Sequence, residues 1–257
     1  MKSQLYLETI AEGRGTIIKD MYFTTPYKIM SPFTEENHIE IMQMSASAGM
    51  LDGDVFQGEL IFRENSKVLY TSQSYEKVFK SRGKGAEKSL KIQAEEKTQV
   101  VYLPYPMIPF AGSEFQGDTE IHLNHPALFV YGDIFTCGRS GMGEVFQMKS
   151  YESRCRIYIE DKLDFVDHTL IAPEKFNYQM LGMWGDYTHN GLLYIYIDKP
   201  EFRNELLLSL QEVPKRKNIL SGATACNQGL VLRILGKSGD EIYEEFRRIG
   251  ERLLGVS

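Results

Sequence analysis

Polar and apolar residues alternate along most of the first two-thirds of the chain. Leu5, Leu7 and Thr9 interleave with Gln4, Tyr6 and Glu8, the string AEGRG follows, and Thr16 to Phe23 is apolar and β-branched. That order predicts a hairpin. The alternation returns around Ile39 and Ile41, at Phe56, Gly58, Leu60 and Phe62, and at Leu90, Ile92 and Ala94. It recurs at Ile121 and Leu123 and at Cys155, Ile157 and Ile159. A period of two places successive side chains on opposite faces of a strand. FTEEN, RENSK, KSRGKGAEK, AEEKT, EFQGD, RSGMG and IEDK separate the runs and read as turns. Strands and turns without a helical period predict an all-β body up to about residue 171. No fixed sequence repeat is visible, so a propeller or a regular solenoid array is not supported.

The last third changes character. Pro200 suits the first turn of a helix, and Phe202, Leu206, Leu207 and Leu210 follow at helical spacing until Pro214. Leu230 to Leu235 is a continuous apolar strand. Ser238 then precedes Glu241 by three positions, a capping box. Ile242, Phe246, Ile249 and Leu253 form one stripe, Glu244 and Arg248 pair on the opposite face, and Gly255 is a candidate C-cap. Helices are therefore predicted near residues 200–211 and 239–254. No biased linker divides the chain, so residues 1–257 are read as one domain.

Charge narrows the possible partners. The formal net charge is −6, which excludes a general affinity for nucleic acid and leaves room for cations. The start MKSQLYLETIAEGRG lacks the apolar stretch of a signal peptide, and LLYIYI is too short to span a membrane, so a cytoplasmic location without membrane contact is expected. Cys137, Cys155 and Cys226 are odd in number and widely spaced, which argues for free thiols.

Familiar catalytic signatures are missing. KSRGKGAEKS is not a phosphate loop, because Glu87 stands before Lys88 where a Walker loop has glycine. CGRSGMGEVF fits neither a dinucleotide nor a nucleophile-elbow spacing. His122 and His125 fall in a strand running into Pro126, so they point to opposite faces. The carboxylates are more informative. Asp52 and Asp54 lie in MLDGD, Asp133 in VYGDIF, Glu144 in GMGEVF, and Asp164 and Asp167 in LDFVDH. An acid in an apolar strand is costly to bury unless it is paired or wet.

Seven ordered motifs carry a resemblance. They are MSPF at 30–33, SASAGMLDGD at 45–54, TSQSYEKVF at 71–79, YLPYPMIPF at 102–110, DIFTCGRSGMGEVF at 133–146, DFVDHTLI at 164–171 and GDYTHNG at 185–191. In that order, across residues 16–254, the chain resembles the urease accessory protein family UreD, also called UreH. SASAGMLDGD departs from the commoner S-P-G-G-G or S-P-G-L pattern.

The resemblance implies a mainly β fold: a single β-rich body, its strands packed in layers and solenoid-like, with the two helices in the C-terminal third. It implies a scaffold and not an enzyme. Family members hold apo-urease and the helical protein UreF, and UreF recruits the GTPase UreG. That assembly delivers nickel to urease, whose bridging lysine is carbamylated. No tightly bound cofactor is implied, only transient nickel moving along a water-filled passage. The family's motif acids match Asp133, Glu144 and Asp167. Arg139 is the competing partner that would turn Asp133 or Glu144 into structural glue. Read from the residues alone, a hydrolase with a metal on Asp52, Asp54 and Asp167 stays open. Exposed apolar strings, YLPYPMIPF and MLGMW, predict low solubility alone and recovery beside UreF.

Overall fold

The computed structural model describes residues 1–35, 38–212 and 219–256. The expected hairpin is formed by β1 (Lys2–Glu12) and β2 (Gly15–Phe23). After β3 (Tyr27–Ile29) and β4 (Phe33–Thr34) the chain enters four coils, each laying strands into two facing sheets. The coils run β5 (Ile39–Ser45) to β6 (Val55–Phe62), then β7 (Lys67–Ser72) and β8 (Glu76–Val78) to β9 (Ala86–Ala94). They continue with β10 (Gln99–Leu103) and β11 (Met107–Pro109) to β12 (Glu114–Leu123), and β13 (Leu128–Thr136) to β14 (Ser150–Ile159). β6, β9, β12 and β14 pair in parallel, and so do β5, β7, β10 and β13. Parallel neighbours need a long crossover; here each crossover is the strand in the opposite sheet.

Antiparallel strands close both sheets. β1 joins the first sheet parallel to β6, β2 closes that side antiparallel to β1, and β15 (Lys162–Ile171) closes the other side antiparallel to β14. The second sheet continues through β16 (His189–Ile197), and after α1 (Pro200–Gln211) the strands β17 (Ile219–Ala225) and β18 (Leu230–Gly236) join its edge. α2 (Gly239–Val256) ends the fold. The body is thus mainly β and solenoid-like, with both helices in the last third, as expected. Strands of the second sheet start at residues 39, 67, 99 and 128. The coil recurs in space at intervals that differ, which is why no sequence repeat is visible.

The two sheets have different surroundings. The first, the open sheet, buries one face: Leu5, Leu7, Leu60, Ile92, Ile121 and Ile157 point into the core between the sheets. The second, the covered sheet, buries both. Val100, Phe129, Tyr131 and Tyr194 face that core, while Val101, Val130, Leu193 and Ile195 pack under α1 and α2. The stripe Ile242, Phe246, Ile249 and Leu253 supplies α2's side of this second core. Gly132 and Gly191 permit the close approach: a Cβ there would stand 2.4 Å from Leu103 Cδ2 and 2.6 Å from Ile242 Cγ2.

Several local expectations change. EFQGD is not a turn but the start of β12. Phe33 and Thr34 of FTEEN pair with β5, and Pro214 lies outside the described residues. The Ser238 hydroxyl accepts the Glu241 amide at 3.3 Å, as the capping box requires. Arg248 pairs with Glu245, three residues back, and not with Glu244. Gly255 lies inside α2 and does not cap it. YLPYPMIPF is mostly buried, because Tyr102, Leu103, Pro106, Met107 and Pro109 sit in or beside β10 and β11. MLGMW does expose Met180, Leu181 and Met183, while Trp184 is buried against Phe135 and Phe146.

Candidate functional site: a charged seam between the sheets

A polar seam interrupts the apolar core. In β9 the inward phase that buries Ala86, Leu90 and Ile92 also carries Lys88. In β14 the phase that buries Tyr151 and Cys155 carries Ser153. From the covered sheet, Asp133 lies in phase with Tyr131 and Phe135, and its lateral neighbours are Leu192 and then Arg233. From the open sheet, Asp167 lies beside Cys155. Arg233 closes across the gap onto Asp167 as an ion pair.

A cavity of about 50 Å³ lies at the centre, lined by Lys88, Tyr102, Tyr131, Asp133, Tyr151 and Ser153 among others. That space holds about three waters. The Asp133 carboxyl is pushed up to about 6 by burial and by the negative charge of Asp167, against Lys88, a Ser153 hydrogen bond and Arg233. Burial disfavours the charged form, and a second carboxylate adds to it.

The seam opens on one side into a pocket of about 110 Å³, lined by Ser45, Ser47, Met50, Ser72 and Ser74 among others. Gly49 shapes its rim: φ is +148°, and a Cβ there would stand 2.5 Å from the Lys77 carbonyl oxygen. Pocket and cavity share Lys88, Tyr102 and Pro104 as walls. At that junction Lys88 Nζ meets Glu76 Oε2 at 2.5 Å, and the Tyr27 hydroxyl donates to Glu76 Oε1 at 2.9 Å. Lys88 Nζ also lies 5.5 Å from the Phe56 ring centre. At the far side, Asp167 is largely covered while Arg233 reaches solvent.

Of the three acids singled out in the sequence, only Asp133 lines the cavity. Asp167, paired with Arg233, raises the Asp133 proton affinity from beside it. Glu144 does not act on Asp133 in this way. It pairs with Arg139, whose Nε donates to Oε2 at 2.8 Å, and it accepts the Ala111 amide at 3.3 Å. Arg139 holds its carboxyl below the usual carboxylate range. The same guanidinium covers the Phe110 ring at 4.1 Å, so the competing partner is realised at Glu144. Asp164 is buried and accepts the Tyr194 hydroxyl and the Gln228 amide, each at 2.7 Å.

The metal-hydrolase arrangement is not formed. Asp52 accepts the Lys84 and Gly85 amides at 3.0 and 2.9 Å, so the Gly-rich loop wraps a carboxylate of its own chain. Asp54 pairs with the amino terminus at 2.6 Å. Among the described residues no three His, Cys, Asp or Glu side chains are grouped to hold a metal ion. His122 pairs with Glu120 and His125 with Glu160. The cysteines are free thiols, and no helix among the described residues is long and apolar enough to cross a membrane.

Sequence reasoning missed Glu76, Lys88 and Arg233. Lys88 had a signal, since it falls in the buried phase of Leu90, Ile92 and Ala94. Glu76 and Arg233 had none, because their partners lie 12 and 66 positions away.

Two coiled sheets around a charged, water-sized seam define a helix-poor β protein with a polar site inside its core. A sequence model described as UreD urease accessory protein matches residues 1–255, and the chain belongs to that family. It is similar to the urease accessory protein UreH of Helicobacter hepaticus, with 33% identity covering 95% of each chain. It is also similar to the urease accessory protein UreD of Acetivibrio thermocellus, 29% identical over 94% of this chain and 93% of that one. UreH of Helicobacter pylori strain G27 is 32% identical over 73% of this chain and 72% of its own length.

Proposed function

We propose that the chain is a non-catalytic scaffold in urease maturation, linking apo-urease to UreF and, through UreF, to the GTPase UreG. Nickel is the cargo, and the seam through Asp133 and Asp167 is its route. The observation that carries this reading is the cavity itself: the Asp133 carboxyl faces a space large enough for water inside an apolar core, with Asp167 within electrostatic reach of it. Fixed negative charge raises the local concentration of a divalent cation. Sparse oxygen ligands hold nickel loosely, whereas imidazole or thiolate would retain it, and transport requires release. The lone chain should therefore bind nickel weakly and lack GTPase and urease activity. Exposed Met180, Leu181 and Met183 fit a surface that a partner covers. The cytoplasm, where urease is made, is the proposed location.

The test is Asp133→Asn with Asp167→Asn in cells expressing urease and the other accessory proteins. A pull-down with UreF and apo-urease should be unchanged, while urease nickel content and activity fall. Loss of assembly would make these acids structural, and unchanged activity would put the route elsewhere. Glu144→Gln is a separate arm: a fall in nickel content with assembly intact adds Glu144 to the route, and a loss of stability alone assigns it to the Arg139 pair.

A further inference from the structure

The seam is bounded at each end by an ion pair, and the two ends differ. Arg233 holds Asp167 with a planar guanidinium. At the mouth, Lys88 holds Glu76 with a compact ammonium on a flexible four-carbon stem. Both Lys88 and Glu76 keep some exposure, 17% and 20%. Glu76 has a second anchor in the Tyr27 hydroxyl, so its carboxylate keeps its place if the ammonium leaves. Lys88 has only the seam and its mouth to occupy, because the strand phase points it inward and Phe56 lies beneath it.

We propose that the Lys88–Glu76 pair gates the seam: the ammonium occupies the carboxylate that an entering divalent cation would use, and that cation displaces it toward the mouth. This rests on the seam being the route for nickel. Charge bookkeeping favours the exchange for a dication. Glu76, Asp133 and Asp167 face Lys88 and Arg233, an excess of one negative charge when every acid is ionised. Replacing the ammonium by a divalent ion removes that excess. A monovalent ion in its place changes nothing, so the gate discriminates by charge. The same ammonium lowers the proton affinity of Asp133, so it lies within electrostatic reach of the next carboxylate on the route.

The test uses the full chain and Ni²⁺ alone in equilibrium dialysis. Lys88→Met should raise nickel affinity by at least about tenfold, since a like charge close to the ion is removed. The double variant Glu76→Gln, Lys88→Met should return it to the wild-type value or below. Wild-type affinity in a folded Lys88→Met chain overturns the gate. Should Lys88→Met fail to fold, Lys88→Arg decides: a guanidinium clamps Glu76 with two bonds, and nickel loading of urease in the complex should slow several-fold. An unchanged loading rate overturns the gate. The parent reading fails differently. If Asp133→Asn with Asp167→Asn leaves loading intact while Lys88→Met still raises affinity, Glu76 is a cation site but the seam is not the route.

Discussion

The open and the covered sheets are laid down by the same four coils and share one core, yet they obey different rules. In the open sheet β9 reads Ala86, Leu90, Ile92 and Ala94 buried, with Glu87, Ser89, Lys91 and Gln93 exposed. In the covered sheet β10 is buried at every position from Gln99 to Leu103. The reason is that water wets the outer face of one sheet and α1 and α2 pack on the other. Fully covered strands lose alternation and become continuous apolar runs. Covalent pattern therefore reports a sheet's surroundings as much as its strands.

That difference can be broken from the covered side first. Phe246 is fully buried between α2 and the covered sheet. Phe246→Ala should cost about 3–5 kcal/mol, measured by urea unfolding. An effect below about 1 kcal/mol would mean that α2 is not the lid that makes this sheet two-faced.

The seam sharpens the comparison, because Asp133 is the carboxylate that the covered sheet places in the shared core. Its folded-state pKa, about 6, lies above the ordinary 3.8, so the folded state binds this proton more tightly than the unfolded state. Asp133 therefore reduces stability progressively as pH rises from about 4 to about 6, and fully above that. Asp133→Asn should match the wild type near pH 4 and exceed it by up to about 3 kcal/mol at pH 7. Equal stability of the two at both pH values would mean that the carboxyl is not desolvated.

Gly191→Ala tests the contact between helix and sheet. An added Cβ meets Ile242 and Phe246, and overpacking of this kind costs about 1–3 kcal/mol. The smallest effect belongs to the open face. Arg156 pairs there with Asp118 at 2.7 Å and Glu120 at 3.4 Å. Arg156→Ala should change stability by no more than about 1 kcal/mol, as exposed pairs do. A larger loss would show that the open face depends on its charge ladder.

By itself the sequence determined the β1–β2 hairpin, the open strands around Leu60, Ile92, Ile121 and Ile157, and the two helices. Each of these has its polar and apolar residues sorted by water along a local stretch. The sequence also offered Asp133 and Asp167 as conspicuous charges in apolar runs. Only the tertiary structure decided that these two acids come within electrostatic reach of each other and that Glu144 pairs with Arg139. Only it turned Lys88, which looked like part of a basic loop, inward onto Glu76. The physical reason is one of range. Burial along a strand is set by neighbours two residues away, but an ion pair across facing sheets is set by the coil that brings distant residues together. Its energy depends on the dielectric of a cavity that exists only after the sheets have closed.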